Sequence, residues 1–147
     1  MNGEECHSDC LTPEERGKIL SRFHSLLFWV GENIPDMEVL DGREVPLKDV
    51  VFRFITQQYP DEDTVAQAME LARALEAKAR SLQGDLKVRS LERERAYDMM
   101  HEALGLLRAV DELRSLGKED RELKARALMA RVADEKRWLD LVRAVKK

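Results

Sequence analysis

Apolar residues recur at three- and four-residue spacing along most of the chain, which is the pattern of amphipathic helices. Thr12, Pro13 and Glu15 form a helix start, with a capping threonine, a proline at the first position and a glutamate three residues after the cap. The predicted first helix runs from there to the segment between Gly31 and Pro35, because proline disfavours helix in the residue before it.

One stretch, residues 37–46, has strand character. Val39, Leu40 and Val45 flank the dipeptide Asp41-Gly42, which suits the positive φ angles of a tight hairpin turn. A lone two-stranded hairpin is marginal in water, so this one is expected to pack against the helices.

Two helices follow the hairpin, the second beginning at Pro46 and the third after the turn at residues 59–61. The third helix is predicted to end at residues 84–85, since Gly84 interrupts it. Ala68, Ala72 and Ala79 let another helix approach closely, either within the chain or across a dimer axis. They belong to a coiled-coil-like seam with alternating steps of three and four residues: Val65, Ala68, Ala72, Leu75, Ala79 and Leu82.

A fourth helix is predicted over residues 88–116, ended by Ser115-Leu116-Gly117, and Gly105 inside it indicates a close helix crossing. Short connections favour antiparallel neighbours. The predicted fold is therefore mainly α, an antiparallel helical bundle of about five helices with one small β-hairpin near residues 37–46. The last helix, about 119–145, is expected to bury one stripe: Ala125, Leu128, Val132, Leu139 and Val142.

The chain has 147 residues, of which 44% are hydrophobic, 37% charged and 5% aromatic, as is typical of one helix-rich domain. Residues 11–147 are predicted to form that domain, and residues 1–10, which show no periodicity, a disordered leader. No apolar run approaches the roughly 20 residues of a membrane span. The acidic N-terminus has no apolar core of a secretory signal. We therefore expect a soluble, reduced, cytoplasmic protein.

The sequence CHSDC places Cys6, His7 and Cys10 within five residues. A structural zinc site needs four ligands, usually as two spaced pairs, and the chain has one such pair. The other histidines, His24 and His101, lie inside predicted helices, where a structural role is the default. We expect neither a metal nor a cofactor, and these three residues remain the candidates should a metal bind.

Charge is unevenly distributed along the chain, whose net charge is −4. Residues 1–63 carry 6 basic and 14 acidic side chains, a net of −8, whereas residues 118–147 carry 10 basic and 6 acidic, a net of +4. A basic helix can contact nucleic acid, although the chain shows no nucleic-acid-binding motif. Binding of nucleic acid is therefore the alternative hypothesis, with these residues as contacts: Arg121, Lys124, Arg131, Lys146 and Lys147.

Trp138, Leu141 and Val145 lie beside the predicted stripe of the last helix, and tryptophan is common among interface anchors. No nucleophile motif, glycine-rich phosphate loop or metalloprotease motif is present. The first hypothesis is thus a non-enzymatic protein that acts through protein–protein contacts, as an adaptor or a homodimer. Its candidate contact residues are these three together with Ala68, Ala72 and Ala79.

Four stretches, RFHSLLFWVGENIP, DGREVPLKDVVF, EALGLLRAVDELRSL and DEKRWLDLVRAV, resemble a family of small archaeal proteins of unknown function. The resemblance covers the chain from about Leu11 to Val145. It implies an intact fold and an archaeal cytoplasm, and it implies no activity, ligand or catalytic residue. CHSDC is not part of the shared pattern.

Overall fold

The computed structural model describes residues 6–25 and 31–145. The predicted mainly α fold with one small hairpin is confirmed. No helix in this part of the chain is long and apolar enough to cross a membrane. The described elements are four helices and one antiparallel sheet, in the order α1 (Pro13–Arg22), β1 (Glu38–Leu40), β2 (Arg43–Val45), α2 (Leu47–Ile55), α3 (Glu62–Val88) and α4 (Arg93–Val145).

The start of α1 is the predicted capping box. The Thr12 hydroxyl accepts from the Glu15 N–H at 3.1 Å, and the Glu15 carboxylate accepts from the Thr12 N–H at 3.2 Å. That carboxylate also accepts from Arg93 at 2.6 Å, and this bond lowers the pKa of Glu15 to about 2. The contact between α1 and α4 therefore stabilises the fold at pH values above the ordinary pKa of glutamate. This stabilisation is lost as the pH falls towards 2. The helix ends at Arg22, so its predicted continuation over residues 23–25 is wrong, and the part predicted over residues 26–30 lies outside the described residues.

The predicted hairpin is present as β1 and β2, with Val39 paired to Glu44 and Leu40 to Arg43. Its turn residues Asp41 and Gly42 have φ angles of 51° and 77°. Two consecutive positive φ angles are what a two-residue type I′ turn requires, so the local sequence dictates this element.

α3 is capped by Asp61, whose carboxylate accepts from the Thr64 N–H at 2.7 Å, and the helix runs through Gly84. The predicted helix end at residues 84–85 is wrong. One interior glycine costs a helix about 1 kcal/mol, whereas burial of a leucine such as Leu86, just beyond it, is worth about 1.5–3 kcal/mol.

α3 lies antiparallel to the first half of α4, since Met69 near its start packs against Gly117 and Lys78 reaches Glu102. The main core lies along this helix pair and under α2, and its buried members include Leu47, Val51, Ala72, Leu75, Leu106, Val110 and Leu113. A second cluster holds α1 against the other end of the pair and includes Leu11, Ile19, Leu86, Leu91, Met99, Met100 and Leu104.

α4 is one unbroken helix, so the predicted helix end at Ser115-Leu116-Gly117 is wrong and the segments on either side of it are continuous. Gly117 is buried, and a Cβ at this position would lie 3.0 Å from the Met69 side chain. This glycine therefore allows α3 to pack closely against α4 rather than ending a helix.

Gly105 is also a point of close approach, but its neighbour is not a helix as predicted. A Cβ on Gly105 would lie 2.4 Å from the carbonyl oxygen of Asn33 and 2.9 Å from Cδ of Pro35. The segment that leads into β1 thus crosses directly over the backbone of α4.

Candidate functional site

The second half of α4, residues 119–145, extends beyond the rest of the described structure. At 1.5 Å per residue this half is about 40 Å long. Leu128 is 58% exposed, Val132 53% and Leu139 54%. The prediction that these side chains are buried is therefore wrong within a single chain. The reason is that α3 begins only about two turns before Met69, which lies opposite Gly117, and so reaches no further than about residue 124 of α4.

Five apolar residues of this half define what we call the free stripe. Their spacing is that of a heptad seam, with one polar position, Glu135, between Val132 and Leu139. At 100° per residue the free stripe is centred about 50° around the helix axis from Leu106, Val110 and Leu113, which pack against α3. The apolar residues of α4 are thus covered along its first half and largely exposed along its second. The free stripe consists of Ala125, Leu128, Val132, Leu139 and Val142.

Trp138, Leu141 and Val145, the contact residues predicted from sequence, are 65%, 57% and 79% exposed. They form a second strip beside the free stripe and widen the apolar face towards the end of α4. Scattered exposed apolar residues are normal, but a contiguous face of this length is typical of an interaction surface.

The alanine seam has a different place. Ala68, Ala72 and Ala79 are at most 1% exposed, within the core formed by α3 and the first half of α4. Of the two alternatives for this seam, close packing within the chain is the one observed. These three alanines are inaccessible to a partner, because α4 already occupies the groove that their small side chains leave.

The basic residues proposed as nucleic-acid contacts are only partly described. Arg131 is exposed on the second half of α4. The side chains of Arg121 and Lys124, and the whole of Lys146 and Lys147, lie outside the described part of the structure. These residues therefore remain a prediction.

Cys6 and Cys10 are joined by a disulfide, in contrast to the expected reduced state. Residues 6–10, predicted as part of a disordered leader, run beside the loop between α3 and α4. Cys10 pairs with Glu92, and the Arg93 N–H donates to the Asp9 carbonyl at 2.8 Å. A disulfide offers no thiolate to a metal. Over the described residues, no three His, Cys, Asp or Glu side chains converge as a metal site would require.

A cleft of about 570 Å³ lies between the hairpin and the helix pair and contains a charge cluster that sequence reasoning missed. The Lys78 ammonium pairs with the carboxylate of Glu38 and, at 3.6 Å, with that of Glu102, and it donates to the Val39 carbonyl at 2.7 Å. Burial, and secondarily the neighbouring Glu102, raise the pKa of Glu38. The contribution of Glu38 to the free energy of unfolding therefore decreases as the pH rises through its raised pKa.

These contacts fasten β1 to α3 and α4, which makes the charge cluster a structural connection. His101, for which the sequence favoured a structural role, lies at the same cleft, with Nδ1 2.7 Å from Glu32. That pair joins the segment before β1 to α4 in the same way. No local signal marks Glu38 or Lys78, because the two are 40 positions apart and meet only through the fold.

Residues 11–143 match the model of a family described as "Family of unknown function (DUF5788)". Compared with curated proteins and with solved structures, the chain shows no match. The predicted membership in a family without a known activity is confirmed, while an archaeal origin stays a prediction. From Leu11 to Arg143, the chain belongs to this family of unknown function.

Proposed function

We propose that this protein is non-enzymatic and acts through helix–helix contact with a protein partner, and that the contact surface is the free stripe with Trp138 beside it. The observation that carries this proposal is the continuity of α4: one helix packs apolar residues of its first half against α3 and then exposes the free stripe along its second half. Most helical stability in proteins comes from packing of an amphipathic face. An apolar helix surface that no described element of the same chain covers is therefore best explained by a partner that binds to it.

The composition of the surface supports a specific contact. Full burial of a leucine or valine is worth about 1.5–3 kcal/mol, and Leu128, Val132 and Leu139 together offer several such gains. Trp138 supplies the large aromatic side chain that typically anchors an interface. Charged residues on the opposite side of α4, such as Arg126 and Arg137, keep that side in water.

The charge cluster in the cleft supports the non-enzymatic part of the proposal. A general acid or base needs a group that is available to a substrate. Lys78, Glu38 and Glu102 are instead engaged with one another, where they hold the hairpin in place.

A photo-crosslinking amino acid placed at Trp138 tests the proposal in cells that express the full chain. We expect one discrete adduct, identified by its peptides, that disappears when Leu128 and Leu139 are both replaced by serine. Ala133, exposed and about 140° around the helix axis from both Trp138 and Leu128, is the matched control position and should give no such adduct. Equal adducts from both positions, or none from Trp138, would contradict the proposal.

A further inference from the structure

We infer that the partner covering the free stripe is a second copy of this chain, bound antiparallel over residues 122–145. This inference rests on the proposed function and adds the identity and the register of the partner. It comes from the order of side chains along the exposed half of α4, which is complementary to itself when one helix is reversed.

Four of the five apolar positions of the free stripe match in one antiparallel register, and the fifth, Val132, lies opposite Glu135. With the two-fold axis between Ala133 and Asp134, Leu128 of one copy lies opposite Leu139 of the other, and Ala125 lies opposite Val142. In an antiparallel coiled coil, a residue at heptad position a of one helix packs against a residue at position d of the other, as these pairs do. Because a two-fold interface repeats every contact, each of these pairs occurs twice.

The flanking positions agree with the same register. Glu122 of one copy lies beside Arg143 of the other, and Arg131 lies beside Trp138. The first is a pair of opposite charges, and the second places a guanidinium near the face of an indole, where cation–π attraction stabilises the contact. The exposed side chains of Trp138 and Arg131 are free to adopt this arrangement in the single chain.

A parallel pair is disfavoured by the same residues. It would place Glu135 against Glu135 within the apolar seam and Arg131 against Lys136 at its edge. Like charges brought together at an interface cost several kcal/mol, of which the buried glutamates would bear most. In the antiparallel register Glu135 instead lies opposite Val132 and beside Arg131 of the second copy, where it meets a positive charge.

Engineered cysteines distinguish these arrangements in the full chain. The chain contains two cysteines, and they are joined to each other, so Leu128→Cys or Leu139→Cys adds a single thiol. We expect a short bismaleimide to link a mixture of the two variants into a species of twice 17.0 kDa. This product should be lost when either variant is treated alone, because equal positions lie about 16 Å apart along the antiparallel axis.

Two outcomes would overturn the inference. Efficient linking of Leu128→Cys to itself would show a parallel pair. Absence of linking in the mixture, with the unmodified chain sedimenting as a monomer, would show that a second copy is not the partner. The proposed function is judged separately, since an adduct from Trp138 with a different protein would keep it, and no adduct would end it. Ala130→Cys, on the opposite side of α4, is the control for random collision.

Discussion

Replacing Leu113 with alanine is expected to lower the free energy of unfolding by about 2–5 kcal/mol, the usual cost of removing a leucine from a packed core. Leu113 is fully buried where α4 packs against α3. The same replacement at Leu128, in the exposed half of the same helix, should change the stability of the dilute chain by no more than about 0.5 kcal/mol. Urea unfolding followed by circular dichroism measures both.

Comparison of the two variants distinguishes the packed first half of α4 from its exposed second half. Each removes the same atoms from a helix and introduces the same residue, so helix propensity cancels between them. The comparison is made at low protein concentration, where self-association adds nothing to stability. A large loss at Leu128 under those conditions would show that the second half of α4 packs against its own chain.

Replacing Gly105 with alanine is expected to destabilise the fold even though alanine is the better helix former. The new methyl group would meet the Asn33 carbonyl oxygen at 2.4 Å and the ring of Pro35 at 2.9 Å. Moving backbone and a proline ring costs about 1–3 kcal/mol, which exceeds the helix preference for alanine of about 1 kcal/mol. The midpoint of thermal unfolding should fall.

Gly84 is the matched control, because it lies inside α3 and a Cβ there would meet nothing within 4 Å. Gly84→Ala should stabilise the chain by about 1 kcal/mol. Opposite signs for the two substitutions are the predicted result. Stabilisation by both would mean that the segment before β1 does not cross α4 at Gly105.

The parts of the fold that follow from adjacent residues could be predicted. The capping box of Thr12 and Glu15 and the positive φ angles of Asp41 and Gly42 are set within a few residues, and both were found as expected. The break predicted at Gly84 failed because the cost of a helical glycine is smaller than the gain from burying Leu86 just beyond it. The break predicted at Gly117 failed because this glycine lies against Met69, where its missing side chain allows α3 to pack closely.

The apolar stripe of α4 was predicted in its residues, but as buried core rather than as an exposed surface. Spacing alone identifies the apolar stripe of Leu128, Val132 and Leu139, and it cannot tell which element covers that stripe. The answer depends on the relative lengths of α3 and α4, and thus on the unpredicted continuity of α4. Spacing likewise left open whether the alanine seam lies inside the chain.

Contacts between distant segments were the hardest to foresee. A strand with Val39 at its centre indicates that valine as the buried residue, yet Val39 is 49% exposed and Glu38 is buried. The hairpin turns Glu38 inward because Lys78 of α3 is there to pair with it. Similarly, Cys10 finds its partner at Glu92, on a loop more than 80 residues away.

Hydrogen exchange resolved along α4 at two protein concentrations tests most directly the claim that its second half is a surface for a second copy. In dilute protein we expect slow exchange over residues 96–117 and fast exchange over residues 125–142. At high concentration the second segment should gain protection while the first is unchanged. Protection of residues 125–142 that is already high in dilute protein, or that does not respond to concentration, would contradict the account.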